Sequence, residues 1–592
     1  MEAIFLVGLL CVLFNNGIEV DASHSEFQNF QSHNLTVPET QPYRTSYHFQ
    51  PPKNWLNDPN GPMLYKGFYH LFYQYNPNGA LFDAGMVWAH SVSHDLINWI
   101  HLNHALYPTE PFDIKSCWSG SVTILPGNKP AILYTGINAN DTQVQNLAMP
   151  KNLSDPLLKE WIKFSQNPVI TPPTGVAKDD FRDPTTAWVD AEGKWNVIVG
   201  SLINDRGMAI LYQSEDFVNW RMYKDPLHSK EKTGMWECPD FFPVSINSTN
   251  GVDTSVMNPS VKHVMKASFN SHDYYIIGTY VPGVQKYIPD TDFTSTNTDL
   301  RYDYGKFYAS KTFFDSIKNR RILWGWVNES DSSEDDVRKG WSGLQSFPRQ
   351  IWLDRSGSQL VQWPVEEINK LHDKQVSIQN KKLDGGSVLE IPGITASQAD
   401  AEIVFELPEL EEAELLKSTP VDPQQMCTDA NASVRGRLGP FGLLALATED
   451  LTEQTAIFFR IFRHENTYIV LMCSDQSRSS IKENVDKTTY GAFVNIDPQN
   501  EKISLRSLID HSIIESFGGE GRTCITSRVY PQLAVHKEAH LYVFNNGTQS
   551  ITISRLKAWG MSKAQFNYEE SCLNNEAHNG EGLSCFVGMF EK

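Results

Sequence analysis

Three carboxylates stand out by their local setting. Asp58 lies in Asn54-Trp55-Leu56-Asn57-Asp58-Pro59-Asn60-Gly61, Asp183 in Phe181-Arg182-Asp183-Pro184, and Glu237 in Trp236-Glu237-Cys238-Pro239-Asp240. Each has an aromatic residue nearby and a proline that restricts the backbone beside it. Singly, each has an ordinary reading: a turn, a solvated charge pair, a satisfied buried carboxylate. Together they can do nucleophilic and acid–base chemistry, provided one carboxyl is ionised and another protonated when they meet. Asp58 and Glu237 are far apart in the chain, so only the tertiary fold can bring them together.

The elements that must do so are strands. From 45 to 365 the chain is a succession of short runs rich in β-branched and aromatic residues, such as Phe68–Tyr75, Trp195–Leu202, Tyr274–Tyr280 and Arg321–Val327, separated by Gly, Pro, Asn and Asp clusters. Long amphipathic helices are scarce. So many short strands over this length suit a propeller better than one sandwich, although no strict blade motif repeats. Residues 366–385 are charged and end in Gly-Gly, which reads as a linker. Residues 386–565 alternate apolar and polar again, as in Ala456–Phe462 and His540–Phe544, and read as a β-sandwich. Residues 566–592 lose the pattern and read as a tail.

Composition limits the partners. With 50 Lys+Arg against 70 Asp+Glu in 592 residues, the net charge is −20. A phosphate backbone, an anionic membrane or an acidic wall polymer is disfavoured as a partner. The 11% aromatic content suits β-structure and sugar-stacking surfaces. Residues 1–22 read as a signal peptide: an apolar run from Ile4 to Phe14 precedes the small residues Val20 and Ala22, with Glu2 where a basic residue is usual. Its removal takes away Glu2, Glu19 and Asp21 and no Lys or Arg, leaving −17. N-x-S/T sequons begin at Asn34, Asn140, Asn152, Asn247, Asn328, Asn431 and Asn546. The seven cysteines beyond residue 22 are too few for a disulfide scaffold, and no Cys/His spacing suggests a metal site. Cys572 and Cys585 could close a small loop in the tail.

Several segments carry a family resemblance. WLNDPNGP, FRDPTTAW and WECPDFFP, with YHLFYQYNP (69–77), SCWSGSVTILP (116–126), RYDYGKFYASKTFFD (301–315), RRILWGWVNES (320–330), residues 468–480 and IDHSIIESFGG (509–519), resemble the plant acid invertases and fructan exohydrolases of glycoside hydrolase family 32. The resemblance runs to about residue 565. It implies an all-β chain, a five-bladed β-propeller followed by a β-sandwich. It also implies a retaining mechanism. Asp58 would attack C2 of a terminal fructofuranosyl unit. Glu237 would protonate the leaving oxygen and later activate water, and Asp183 would hold fructose hydroxyls. Carboxyl crowding would raise the pKa of the proton donor. Trp55, Leu56, Asn57, Gln74, Phe82, Trp118, Ser119 and Arg182 would bind sugar. A Cys427–Cys473 disulfide is implied, and neither a cofactor nor a metal.

Two departures bear on substrate. Phe82 stands where sucrose-cleaving relatives usually carry Trp. An Asp-x-x-Lys-like element expected after Ile277-Gly278-Thr279-Tyr280, where it would hold glucose, is replaced by Val281-Pro282-Gly283-Val284. Losing a carboxylate that bonds glucose hydroxyls costs about 1.5–3 kcal/mol per bond. The expected function is therefore fructan exohydrolysis of levan- or inulin-type chains. A cell-wall-type invertase is the near alternative, and a silent protein binding sugar or an inhibitor the distant one. Sucrose or fructan is the expected partner, with a proteinaceous invertase inhibitor as a further one, and a monomer is the default. Pro239 is a wall-type mark, yet the acidic charge argues for a protein free in the apoplast or lodged in the vacuole.

Overall fold

The computed structural model describes residues 41–294, 299–416 and 422–568. The proposed signal peptide, Asn34, Cys572 and Cys585 lie outside the described residues.

Five antiparallel sheets follow one another from residue 54 to 364. Their innermost strands are Asn54–Tyr65, Ser116–Leu125, the two-residue Phe181–Arg182, Glu237–Ser245 and Tyr308–Asp315. These are the blades of a propeller. Each blade is covered on both faces by its neighbours, so its inner strands are buried throughout rather than alternately. Phe68–Asn76 and Val87–Ser93 are buried at every residue. The cores lie between blades. Met63, Phe72, Trp88, Val122 and Tyr134 pack the first against the second. Trp188, Leu211, Trp236, Phe241 and Ile276 pack the third against the fourth. The ring closes where Trp341 and Ser342 pair in parallel with Asn54 and Trp55.

The second domain is a sandwich of a six-stranded and a seven-stranded sheet. Ile403, Phe405, Leu443, Ile457, Met472 and Leu505 are among the side chains that fill the space between them. The Cys427–Cys473 disulfide is formed, with Cα atoms 5.6 Å apart. It ties the short helix Pro423–Asp429 to the strand Thr467–Asp475. A Cβ on Gly491 would come within 2.4 Å of Cys427 Sγ, so only glycine fits beneath it.

The segment expected to be a linker is structured. Glu366–Leu371 is a 3₁₀ turn with Ile368 and Leu371 buried, and His372–Leu383 is an edge strand of the sandwich paired with Ile551–Met561. Its Lys-rich outer face is what a protected sheet edge needs, and that charge disguises it as a linker. The expected tail likewise begins with a strand: Phe566–Tyr568 pairs with Trp99–His101 in the first blade.

Buried charges lock the domains. Arg349 bonds Glu515 at 2.5 Å and Asp303 at 2.9 Å, all three side chains fully buried. His48 lies between Asp510 at 2.9 Å and Glu515 at 3.0 Å. Asp510 also accepts the backbone N–H groups of Ser46, Tyr47 and His48. The IDHSIIESFGG segment thus clamps the chain that leads into the strand carrying Asp58.

Candidate active site

Near the start of four of the five innermost strands the backbone departs from regular pairing. The register shifts between Leu56 and Pro59, Cys117 and Gly120, Glu237 and Asp240, and Tyr308 and Lys311. Such bulges re-aim side chains that a regular pleat would send elsewhere. Asp183 and Cys238 have positive φ, 67° and 42°. Through these irregularities all five blades contribute to one cluster: Asp58, Ser119, Arg182 with Asp183, Glu237 and Tyr308.

The cluster is continuous. Asp58 accepts hydrogen bonds from Ser119 Oγ at 2.6 Å and Asn57 Nδ2 at 2.9 Å. Asn57 in turn accepts from Trp55 Nε1 at 2.8 Å, and Gln345 Nε2 donates to its backbone carbonyl at 2.7 Å. Asp183 accepts the Cys238 backbone N–H at 2.8 Å. The Cys238 thiol stands between two carboxylates, 3.4 Å from Asp58 and 3.5 Å from Asp183. Arg182 donates to Glu237 Oε1 through Nη2 at 2.7 Å and Nε at 3.2 Å, and Tyr308 donates its hydroxyl to Oε2 at 2.5 Å. Both oxygens of Glu237 are therefore held, while its side chain keeps 32% exposure toward the pocket.

Burial and the Asp183 charge push Asp58 up to about 6, against the pull of its bonds to Ser119 and Asn57. Burial also raises Asp183, with Arg182 and Lys311 opposing. Burial and both carboxylates raise the Cys238 thiol well above its ordinary value, so it stays protonated as a weak donor. Crowding and burial thus act on Asp58 and Asp183. The arrangement supplies what displacement at a sugar carbon needs: an oxygen nucleophile, a held carboxyl for proton transfer, and negative charge around a cationic transition state.

The expected binding residues divide. Trp55, Asn57, Ser119 and Arg182 belong to the cluster. Phe82 stands 55% exposed, edge-on to Trp55 at 6.1 Å and 6.4 Å from Trp118. Gln74 is buried, with no partner for its Nε2 among the described residues. Leu56 is a correction: its side chain is fully buried in the hydrophobic core around Tyr73, Trp324 and Phe347, because alternation along the strand turns it away from its neighbours Trp55 and Asn57. Two residues that sequence alone does not single out also belong to the site: Tyr308, and Trp326, which packs edge-on against Trp55 at 5.7 Å. Both are aromatics within recognised segments, and that was the available signal.

Val281 is a second correction. Glu237 pairs with Ser268, and Ser268 with Asp273, so the pocket end of the fourth blade is the turn at Asn270 and Ser271. Val281 ends the same strand eight residues beyond Asp273, roughly 26 Å away at about 3.3 Å per residue. It cannot border the sugar. The pocket-side turn is a tight one, with φ of 49° and 61° at Asn270 and Ser271. It carries neither a carboxylate nor an ammonium group.

Among the described residues, Glu329, Asp331 and Asp336 are close enough to share an ion. The Lys339 ammonium already contacts all three, at 2.8, 2.5 and 3.1 Å.

The model of the glycosyl hydrolases family 32 N-terminal domain matches residues 48–364, and that of the family's C-terminal domain residues 366–560. An insoluble β-fructofuranosidase isoenzyme of Arabidopsis thaliana is 56% identical over 94% of this chain and 98% of its own. A fructan 6-exohydrolase of Beta vulgaris is 55% identical over 92% of this chain and 91% of its own. The crystal structure of fructan 1-exohydrolase IIa from Cichorium intybus superposes with a TM-score of 0.89 at 62% identity, covering 89% of this chain and 99% of that one. A Glu-to-Gln variant of the Cichorium enzyme has been crystallised in complex with 1-kestose. With both domains matched end to end, the chain belongs to glycosyl hydrolase family 32 and is a glycosidase of the β-fructofuranosidase type.

Proposed function

We propose that the chain is a fructan exohydrolase that releases terminal β-D-fructofuranosyl units by double displacement. Asp58 attacks C2 while Glu237 gives its proton to the leaving oxygen. Glu237 then takes a proton from water, whose oxygen displaces Asp58 from the fructosyl unit. Asp183 holds sugar hydroxyls and stabilises the positive charge. Support comes from the fixed plane of the Glu237 carboxyl between Arg182 and Tyr308, and from the two bonds that orient Asp58.

The pocket rim carries the substrate reading. Phe82 is exposed beside the indoles, ready to stack on a further sugar ring, and the turn nearest Glu237 is acid-free. A rim of this kind favours a fructosyl neighbour over a glucosyl one that needs charge-assisted bonds. A second reading, sucrose hydrolysis, is favoured by the names of the Arabidopsis relatives. Initial rates of sugar release from sucrose, inulin and levan separate the two. A higher kcat/KM on either fructan is expected, and sucrose as clearly the best substrate overturns the first reading. Asp58→Ala is expected to abolish release from all three; undiminished release would remove the mechanism itself.

Relatives named as insoluble or cell-wall isoenzymes support an apoplastic location. The net charge of −20 supports weak retention on acidic wall polymers, and hence extraction at low salt. Release only by high salt would contradict this.

A further inference from the structure

Behind Glu237 lies a charged pair sealed from solvent. Lys266 and Asp273, both 0% exposed, sit on adjacent strands of the fourth blade with Nζ and Oδ2 3.2 Å apart. Taking two charges out of water is costly, so such a pair is weak evidence for stability alone. Its bonds run toward the active site. Lys266 Nζ donates to the Cys238 carbonyl at 3.0 Å and the Ser310 carbonyl at 2.9 Å, with Ser268 Oγ at 2.8 Å. Asp273 accepts the N–H of Ala309 at 3.1 Å, the N–H of Ser310 at 2.8 Å and the Ser268 hydroxyl at 2.5 Å.

These contacts fall on two bulges. Cys238 directly follows Glu237; Ala309 and Ser310 directly follow Tyr308. Cys238 and Ala309 have φ of 42° and 54°, a left-handed region that is costly for non-glycine residues. Such conformations persist only where the surroundings hold them. Here a cation grips one carbonyl from each bulge, and an anion grips two amides of the second. Further along the same strands, Lys311 Nζ holds the Pro239 carbonyl at 3.1 Å and Asp240 holds Thr312. The two blades therefore stay joined without Lys266.

We propose that Lys266 and Asp273 are positioning residues for proton transfer: they fix the bulges of the fourth and fifth blades so that Glu237 meets Tyr308. Neither residue touches substrate. The proposal rests on Glu237 being the acid and base. Loosening the clamp should therefore harm protonation of the leaving group more than binding of the fructosyl unit.

The test uses Lys266→Met, with Asp273→Asn and Ser268→Ala as milder variants and thermal unfolding to confirm folding. kcat and KM are measured on inulin and sucrose. kcat/KM is also measured on 4-nitrophenyl β-D-fructofuranoside, whose leaving group needs no proton. The expected result is a fall in kcat of about 10²-fold on the natural substrates with KM little changed, and a loss at least tenfold smaller on the nitrophenyl substrate. Equal losses on both classes, or none on either, overturn the proposal. So does failure of all three variants to fold, which would make the pair purely structural. Glu237→Gln run alongside must show the same dependence on leaving group. If it does not, the acid assignment fails, which is distinguishable from failure of the clamp.

Discussion

Ser119→Ala tests the electrostatics of the pocket most directly. The Ser119 hydroxyl lies 2.6 Å from Asp58 Oδ2 and stabilises the ionised form. A hydrogen bond to a charged group is worth about 1.5–3 kcal/mol, and one pKa unit corresponds to about 1.4 kcal/mol. Removing it should raise Asp58 by about 1–2 units from its value of about 6. Because the proposed nucleophile acts as the anion, activity is expected to fall as pH drops through that pKa. The acid limb of kcat/KM should therefore move to higher pH by the same amount. At pH 5 the variant should lose about 10–100-fold beyond any loss seen at pH 8, where the wild type is ionised and the variant is at least about half ionised. The assay is kcat/KM on inulin from pH 4 to 8. A pH-independent loss would mean that Ser119 only binds sugar. An acid limb shifted to lower pH would refute the reasoning altogether.

Three further outcomes follow from the structure. Arg182→Lys should not restore what Arg182→Leu loses in kcat/KM, because one ammonium cannot reproduce the two-nitrogen grip on Glu237. His48 is raised by Asp510 and Glu515 despite the opposing effect of burial, while those two carboxylates are lowered by His48 and, for Glu515, chiefly by Arg349, again against burial. The histidine contributes stability below about pH 6.5 that fades as pH rises through its higher folded value, and the carboxylates contribute above about pH 4.5. Thermal unfolding should thus peak between those limits. His48→Gln should lower stability by about 3–5 kcal/mol and flatten the decline above pH 6.5. Among the sequons, Asn140, Asn152, Asn247 and Asn328 are exposed, whereas the Asn546 amide donates to the carbonyls of Ala432 and Ser433. Glycopeptide mapping should find glycan on the first group and none on Asn546.

Much of the fold was legible because it rests on local pattern. Aromatic and β-branched runs punctuated by Gly, Pro and Asn report strands whatever their partners, and the two domains follow from where those runs break. The stretch from 366 to 385 was misread because an edge strand with a lysine-rich face has the composition of a linker. Leu56 was misread because a motif names neighbours without saying which way each side chain turns. Val281 was misread because sequence proximity to a strand end does not say which end of the blade faces the pocket; only the register with Glu237 and Ser268 does.

By itself the sequence determined which residues could react: Asp58, Asp183 and Glu237, each in a segment distinctive enough to mark the family. Their side-chain chemistry is local and survives in a string of letters. What only the tertiary structure decided is their mutual arrangement. Five strands separated by tens of residues meet at one pocket, four of them through bulges, and Lys266 and Asp273 bond the backbone at two of these. Proton affinities depend on distances and burial, and so do not exist until the ring closes. The upward push on Asp58 and the joint grip of Arg182 and Tyr308 on Glu237 are properties of that closure.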